Sequence, residues 1–107
     1  MSWNMFIDDE RFPANDGKEW VICRNKLQVM HAVSNHHNTL PNYISFDHDL
    51  GYQEATGYDI VKWLIESHMD NKVSMPSDFS YYVHSQNPIG KLNIERYLEN
   101  YMKILKT

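Results

Sequence analysis

The chain has 107 residues, which suits one domain over 1–107 and leaves no room for a second. Apolar residues make up 42% of it, with seven Tyr, four Phe and three Trp, so a packed core is within reach and the composition of a disordered chain is excluded. A formal net charge of −4 argues against binding along an extended nucleic-acid backbone, which needs a basic face, but not against a small phosphorylated ligand held through a metal.

In chain order, Trp3 to Ile7 is a short apolar run that stops at Asp8-Asp9 and reads as a first strand. Glu10 to Glu19 contains Pro13 and Asn15-Asp16-Gly17, turn residues that leave it too broken for a full helix. Trp20 to Arg24 reads as a second strand. Its Cys23 is the only cysteine, so no internal disulfide forms; a buried, inert thiol in a reducing compartment is expected. Asn25 and Gln28 have capping-box spacing, which starts a helix running to about His37. Pro41-Asn42 marks a turn, and Tyr43 to Phe46 reads as a third strand ending at Asp47.

Thr56 and Asp59 form a second capping-box pattern, followed by Ile60, Val61, Leu64 and Ile65 on one helical face and a break at Pro76-Ser77. Phe79 to His84 reads as a fourth strand. Asn87-Pro88 then pairs a good N-cap with a proline at the first helical position. Ile94, Tyr97, Leu98, Tyr101, Met102 and Leu105 follow at helical spacing, a stripe that reads as core. The N-terminus has no basic region followed by an apolar run, and no stretch approaches the ~20 apolar residues of a membrane span. A cytoplasmic protein without membrane contact is the expectation.

Strands alternating with helices imply right-handed crossovers and a mostly parallel sheet, which binds ligands at the carboxyl ends of its strands. Asp8-Asp9, Asp47-His48-Asp49 and His84-Ser85 follow three strands and should meet at that edge. If the first strand lies beside the third, giving the order 2-1-3-4, Asp8, Asp9 and Asp47 come within a few ångströms. Crowded carboxylates repel, and a divalent cation, Mg²⁺ or Mn²⁺, relieves the repulsion using their oxygens. Either they form such a site or each only caps a turn.

Asp47 is a candidate metal ligand or nucleophile, and Asp49 a second ligand or acid–base group. His48 and His84 carry imidazoles, the side-chain type suited to proton transfer near neutral pH, with His84 the first choice. Ser85, the helix start after Asn87, and Arg11 are candidates for phosphate binding. Arg11 alternatively is a surface residue or pairs with a site aspartate, Asn87 alternatively serves only as a cap, and Arg24 has the same readings as Arg11. His31, His36, His37 and His68 have no metal-ligand arrangement, and Trp20 and Trp63 read as core or rim.

Asp8-Asp9-Glu10-Arg11 with Pro13, Asp47-His48-Asp49-Leu50-Gly51, Thr56-Gly57-Tyr58-Asp59 and His84-Ser85-Gln86-Asn87-Pro88-Ile89-Gly90 together resemble the cyclic-phosphate processing receiver domain family, over about residues 5–100. The resemblance implies an α/β, receiver-like (flavodoxin-like) three-layer sandwich with a short, mostly parallel four-stranded sheet. It implies action on cyclic phosphate ends or related phosphoesters of a nucleotide or RNA terminus, in small phage or bacterial proteins. Asp8-Asp9, Asp47 and Ser85 also stand where response-regulator receivers carry an acidic pair, a phospho-accepting Asp and a Ser or Thr. Receivers have a Lys after a fifth strand, which has no match here, so phosphorelay signalling is not implied. The reading is a metal-dependent phosphoesterase. The alternatives are a non-catalytic receiver-like binding module and a sink that binds a cyclic nucleotide without cleaving it. Oligomeric state is not legible.

Overall fold

The computed structural model describes residues 2–14, 17–47, 49–50 and 55–105. Among these residues four strands and three helices follow in the order β1 (Asn4–Ile7), β2 (Val21–Cys23), α1 (Lys26–Asn35), β3 (Tyr43–Phe46), α2 (Gly57–Met69), β4 (Ser80–Val83) and α3 (Pro88–Leu105), with irregular chain instead of a helix between β1 and β2. The sheet is parallel throughout, in the order β2-β1-β3-β4. This is the receiver-like α/β arrangement that the alternation predicts.

The helix starts follow local chemistry. Asn25 accepts the Gln28 N–H at 2.9 Å, while the Gln28 side chain takes the N–H of Arg24 at 2.7 Å, one residue before the position a capping box uses. Thr56 and Asp59 form the full reciprocal box. Asn87 caps α3 by accepting the Gly90 N–H at 2.9 Å.

The ends depart from the sequence reading. α1 stops at Asn35, short of His37, because His37 and Asn38 take positive φ values of 59° and 54°. α2 ends at Met69, before Pro76, with Asn71 at a φ of 59°. β1, β2 and β4 are each shorter than their apolar runs. In the last helix Ile94, Leu98 and Tyr101 are buried, but Leu105 is exposed and belongs to no core. It is the last residue of α3.

Register separates the two faces of the sheet. Met5, Ile44, Tyr81 and Val21 share one row, and Ile7, Phe46, Val83 and Cys23 the next row on the same face. These residues and the buried sides of all three helices form one hydrophobic cluster. The crossovers β2-α1-β3 and β3-α2-β4 move the same way across the sheet, which puts both helices on one face, and α3 packs on α2 and β4. The intervening rows, Asn4-Tyr43-Ser80 and Ile22-Phe6-Ser45-Tyr82, face the other way. That face carries none of the three helices. Its covering is irregular chain: Trp20 meets Phe6 edge-on at 5.8 Å, and Lys18 lies over Trp20 and Tyr43. The third layer of the sandwich is therefore thin.

Among the described residues no helix is long and apolar enough to cross a membrane.

Candidate functional site

The ladder continues one residue past the strands. Asp8 N–H donates to the Cys23 carbonyl, Asp47 N–H to Ile7 and His84 N–H to Phe46. Asp8, Asp47 and His84 therefore stand in one row at the carboxyl edge, where the first expectation placed them. One carboxylate oxygen each from Asp8, Asp9 and Asp47 lies within 4.8 Å of the others. Asp8 and Asp47 are buried, and Asp9 is exposed.

Asp8 is fully engaged. Its Oδ1 accepts the backbone N–H groups of Glu10 at 3.0 Å and Arg11 at 2.9 Å. Its Oδ2 meets Arg11 Nε at 2.9 Å and His84 Nε2 at 3.0 Å. Burial pushes the Asp8 pKa up, but the two backbone donors, then His84 and the Arg11 charge, outweigh it and bring the pKa from 3.8 down to about 2. Arg11 also reaches Asp47 Oδ2 at 3.2 Å. Desolvation works against its charge, yet the carboxylates of Asp8 and Asp47 raise its pKa further above the ordinary arginine range. Arg11 thus takes the second of its two sequence readings, as the counter-cation that crowded acids require.

An ionised Asp8 only accepts hydrogen bonds, so His84 Nε2 carries a proton. On the neutral ring Nδ1 is then the acceptor, and Ser45 Oγ stands 2.7 Å from it. The ring also stacks on Phe6, with centroids 4.8 Å apart and planes 4° from parallel. Both nitrogens of His84 and one of its faces are committed to the sheet.

Ser85, Asn87 and Asp49 form a second group beside the first. Ser85 Oγ accepts the Asn87 N–H at 3.1 Å, and Asn87 Nδ2 approaches both oxygens of Asp49 at 3.4–3.5 Å. Asp49 is exposed and Ser85 half-buried, so this group opens to solvent. His48 and Gly51 lie outside the described residues.

Two contributors escaped the sequence reading. Ser45 lay inside an apolar run, and its signal was parity: it shares a sheet face with His84 once β3 and β4 are in register. Arg24 was read, like Arg11, as a phosphate clamp, a surface residue or the partner of a site aspartate, not as a donor to backbone carbonyls. Its Nη1 donates to the carbonyls of Asp8 at 3.1 Å and Arg11 at 2.6 Å, fixing the turn that presents Arg11. Among the described residues no buried side-chain nitrogen or oxygen lacks a hydrogen-bond partner.

The three acidic oxygens suit a hard divalent cation, which takes oxygen ligands. The guanidinium on two of them is evidence that the cluster needs positive charge. Arg11 is 42% exposed at its side chain, so it can leave without opening the core. The donor set therefore fits Mg²⁺ or Mn²⁺.

Residues 3–100 match the family model described as cyclic-phosphate processing receiver domain. No curated protein and no solved structure matches the chain.

Proposed function

This chain belongs to the cyclic-phosphate processing receiver domain family, and on that premise we propose that it is a cytoplasmic, metal-dependent phosphoesterase acting on a cyclic phosphate of a nucleotide or RNA terminus. One observation carries the reading: Asp8, Asp9 and Asp47 converge within 4.8 Å at a sheet edge that also holds Arg11 and His84. Asp8, Asp9 and Asp47 would hold Mg²⁺ or Mn²⁺. When bound, the cation polarises the phosphoryl oxygen and offsets its charge.

This chain's own residues do the rest. Arg11, now paired with Asp8 and Asp47, would clamp a phosphate with its planar guanidinium if those carboxylates found another counter-charge. Ser85 and the α3 start behind Asn87 supply hydroxyl and backbone donors on the other side. As general acid His84 would act as the imidazolium, its Nδ1–H donating to Ser45 Oγ. A water oxygen bonds phosphorus while the ring P–O bond breaks, and the departing sugar oxygen takes the proton of Nε2, the nitrogen that now bonds Asp8. The proton the water sheds goes to solvent, which recharges the ring. Asp49, whose carboxylate approaches Asn87 Nδ2, would be a further acid–base group, and His48 keeps only its sequence reading as the second proton carrier.

A second reading, binding without cleavage, is favoured by one specific observation: His84 has both nitrogens committed to Asp8 and Ser45. The two readings part on product analysis. The protein is incubated with Mg²⁺ or Mn²⁺ and a panel of 2′,3′- and 3′,5′-cyclic nucleotides, with calorimetry of metal binding alongside. Hydrolysis is expected, lost in Asp47→Ala together with metal heat, and cut roughly a hundredfold to ten-thousandfold in His84→Ala with metal heat retained. Tight binding of a cyclic nucleotide with no product supports the sink instead. Equal, negligible metal heats for wild type and Asp47→Ala remove the metal from either reading.

A further inference from the structure

We propose that the helix-free face of the sheet is a stacking platform for the last few bases of a single-stranded RNA whose terminal phosphate lies at the acidic edge. The substrate class is then an RNA end rather than a free mononucleotide, and the inference rests on reading that edge as a cyclic-phosphate site.

Register is the first argument. Tyr82 is on the same strand and the same face as His84, two residues earlier, which is about 6.6 Å along a parallel strand. Tyr82 is 54% exposed although its row partners Ser45 and Phe6 are buried. A nucleotide with its phosphate at His84 and Ser85 therefore has an aromatic ring one sugar's reach away. Farther from the edge, Trp20 and Tyr43 form a tilted pair 5.7 Å apart, both half-buried.

The second argument is charge. Lys18 Nζ lies 5.0 Å from the Tyr43 ring and 5.9 Å from that of Trp20, and Lys91 Nζ lies 5.7 Å from Tyr82. In a chain of net charge −4, two lysines, Lys18 and Lys91, lie over rings of this face; the other cation–ring contacts are single local pairs, Arg24 with Phe12 and Lys62 with Tyr58. An apolar partner offers nothing to two ammonium groups, whereas an oligonucleotide offers π-faces to the rings and phosphates to the positive charge beside them. Asn4 and Ser80 on the same face are polar and also unsuited to an apolar seal. Two lysines suffice for a few nucleotides and not for a long backbone. A ribose strand is specified because a 2′,3′-cyclic phosphate forms only where a 2′-hydroxyl is present.

The probes are tetra-adenylate ending in a 2′,3′-cyclic phosphate, tetra-adenylate ending in a 3′-hydroxyl, and adenosine 2′,3′-cyclic phosphate. Binding is read by tryptophan quenching, with Trp20→Phe assigning the signal. Both tetranucleotides should bind the wild type, the cyclic one more tightly, and Tyr82→Ala should weaken both about tenfold. Lys18→Glu combined with Lys91→Glu should remove most of the salt dependence. If the two tetranucleotides bind alike and both depend on Tyr82, the platform stands and the phosphate reading of the edge falls. If the mononucleotide binds as tightly as the tetranucleotide and Tyr82→Ala changes neither, the platform is overturned and the edge reading stands. No binding of any oligonucleotide overturns the platform. A dimer in sedimentation that Tyr82→Ala dissociates also overturns it, assigning the face to a second copy.

Discussion

The two faces of the sheet carry different kinds of order. On the helix-covered face, Met5, Ile7, Ile44, Phe46 and Val83 are sealed under α1, α2 and α3, and each contact is apolar and replaceable in kind. On the other face, Phe6, Ser45 and Asp8 are buried too and His84 is half-buried, but each is held by a directional partner: a ring stack, a 2.7 Å hydrogen bond, a 3.0 Å hydrogen bond to a carboxylate. The first face supplies stability through area removed from water. The second supplies geometry, because a hydrogen bond fixes an atom where a methyl contact only fixes a volume. All three helices lie on the first face, and the polar network of the carboxyl edge lies on the second.

That contrast is broken most severely by cutting into the covered face. Phe46→Ala should cost about 3–5 kcal/mol in urea unfolding, the range for a large aromatic removed from a close-packed core. A loss below about 1 kcal/mol would mean the core is not shared across the sheet as described.

Acid tests the directional face. Asp8 has its pKa lowered from 3.8 to about 2, so its contribution is complete above the unfolded value and is lost as pH falls through the folded one. In metal-free protein it should amount to roughly 2 kcal/mol, disappearing between about pH 4 and pH 2. Asp8→Asn should flatten that part of the profile, and an unchanged acid limb in the variant would place the acid-sensitive group elsewhere.

Ser45→Ala probes one bond of the same network. It should cost about 1 kcal/mol, the usual loss for a single neutral hydrogen bond, while changing the ¹⁵N shift of His84 Nδ1. A stability loss with no change at that nitrogen would show that Ser45 acts by packing alone.

The smallest effect sharpens the comparison from the covered side. Burial pushes the Cys23 thiol from 9.0 up to about 11. Alkylation of the native protein near pH 8 should run about a hundredfold slower than for the unfolded chain. Rapid native labelling would indicate that β2, an edge strand, opens readily.

The strand–helix alternation, the three caps at Asn25, Thr56 and Asn87, and the gathering of Asp8, Asp9, Asp47 and His84 at one edge were all legible in the sequence. Each depends on local spacing, or on the general rule that parallel strands end on the same side. Helix ends were less legible, because His37, Asn38 and Asn71 can enter the left-handed region or remain helical with little local preference. Partner choice was decided only by tertiary structure. Arg11 could reach solvent, a phosphate or a carboxylate, and it settled on Asp47, 36 residues away. His84 found Asp8 across 76 residues. Ser45 became part of the site because its strand register turned it toward the open face, beside a histidine that needed an acceptor or donor at Nδ1. Long polar side chains have several partners of similar strength in sequence, and only the packed backbone, by fixing which are within 3 Å and shielded from water, selects one.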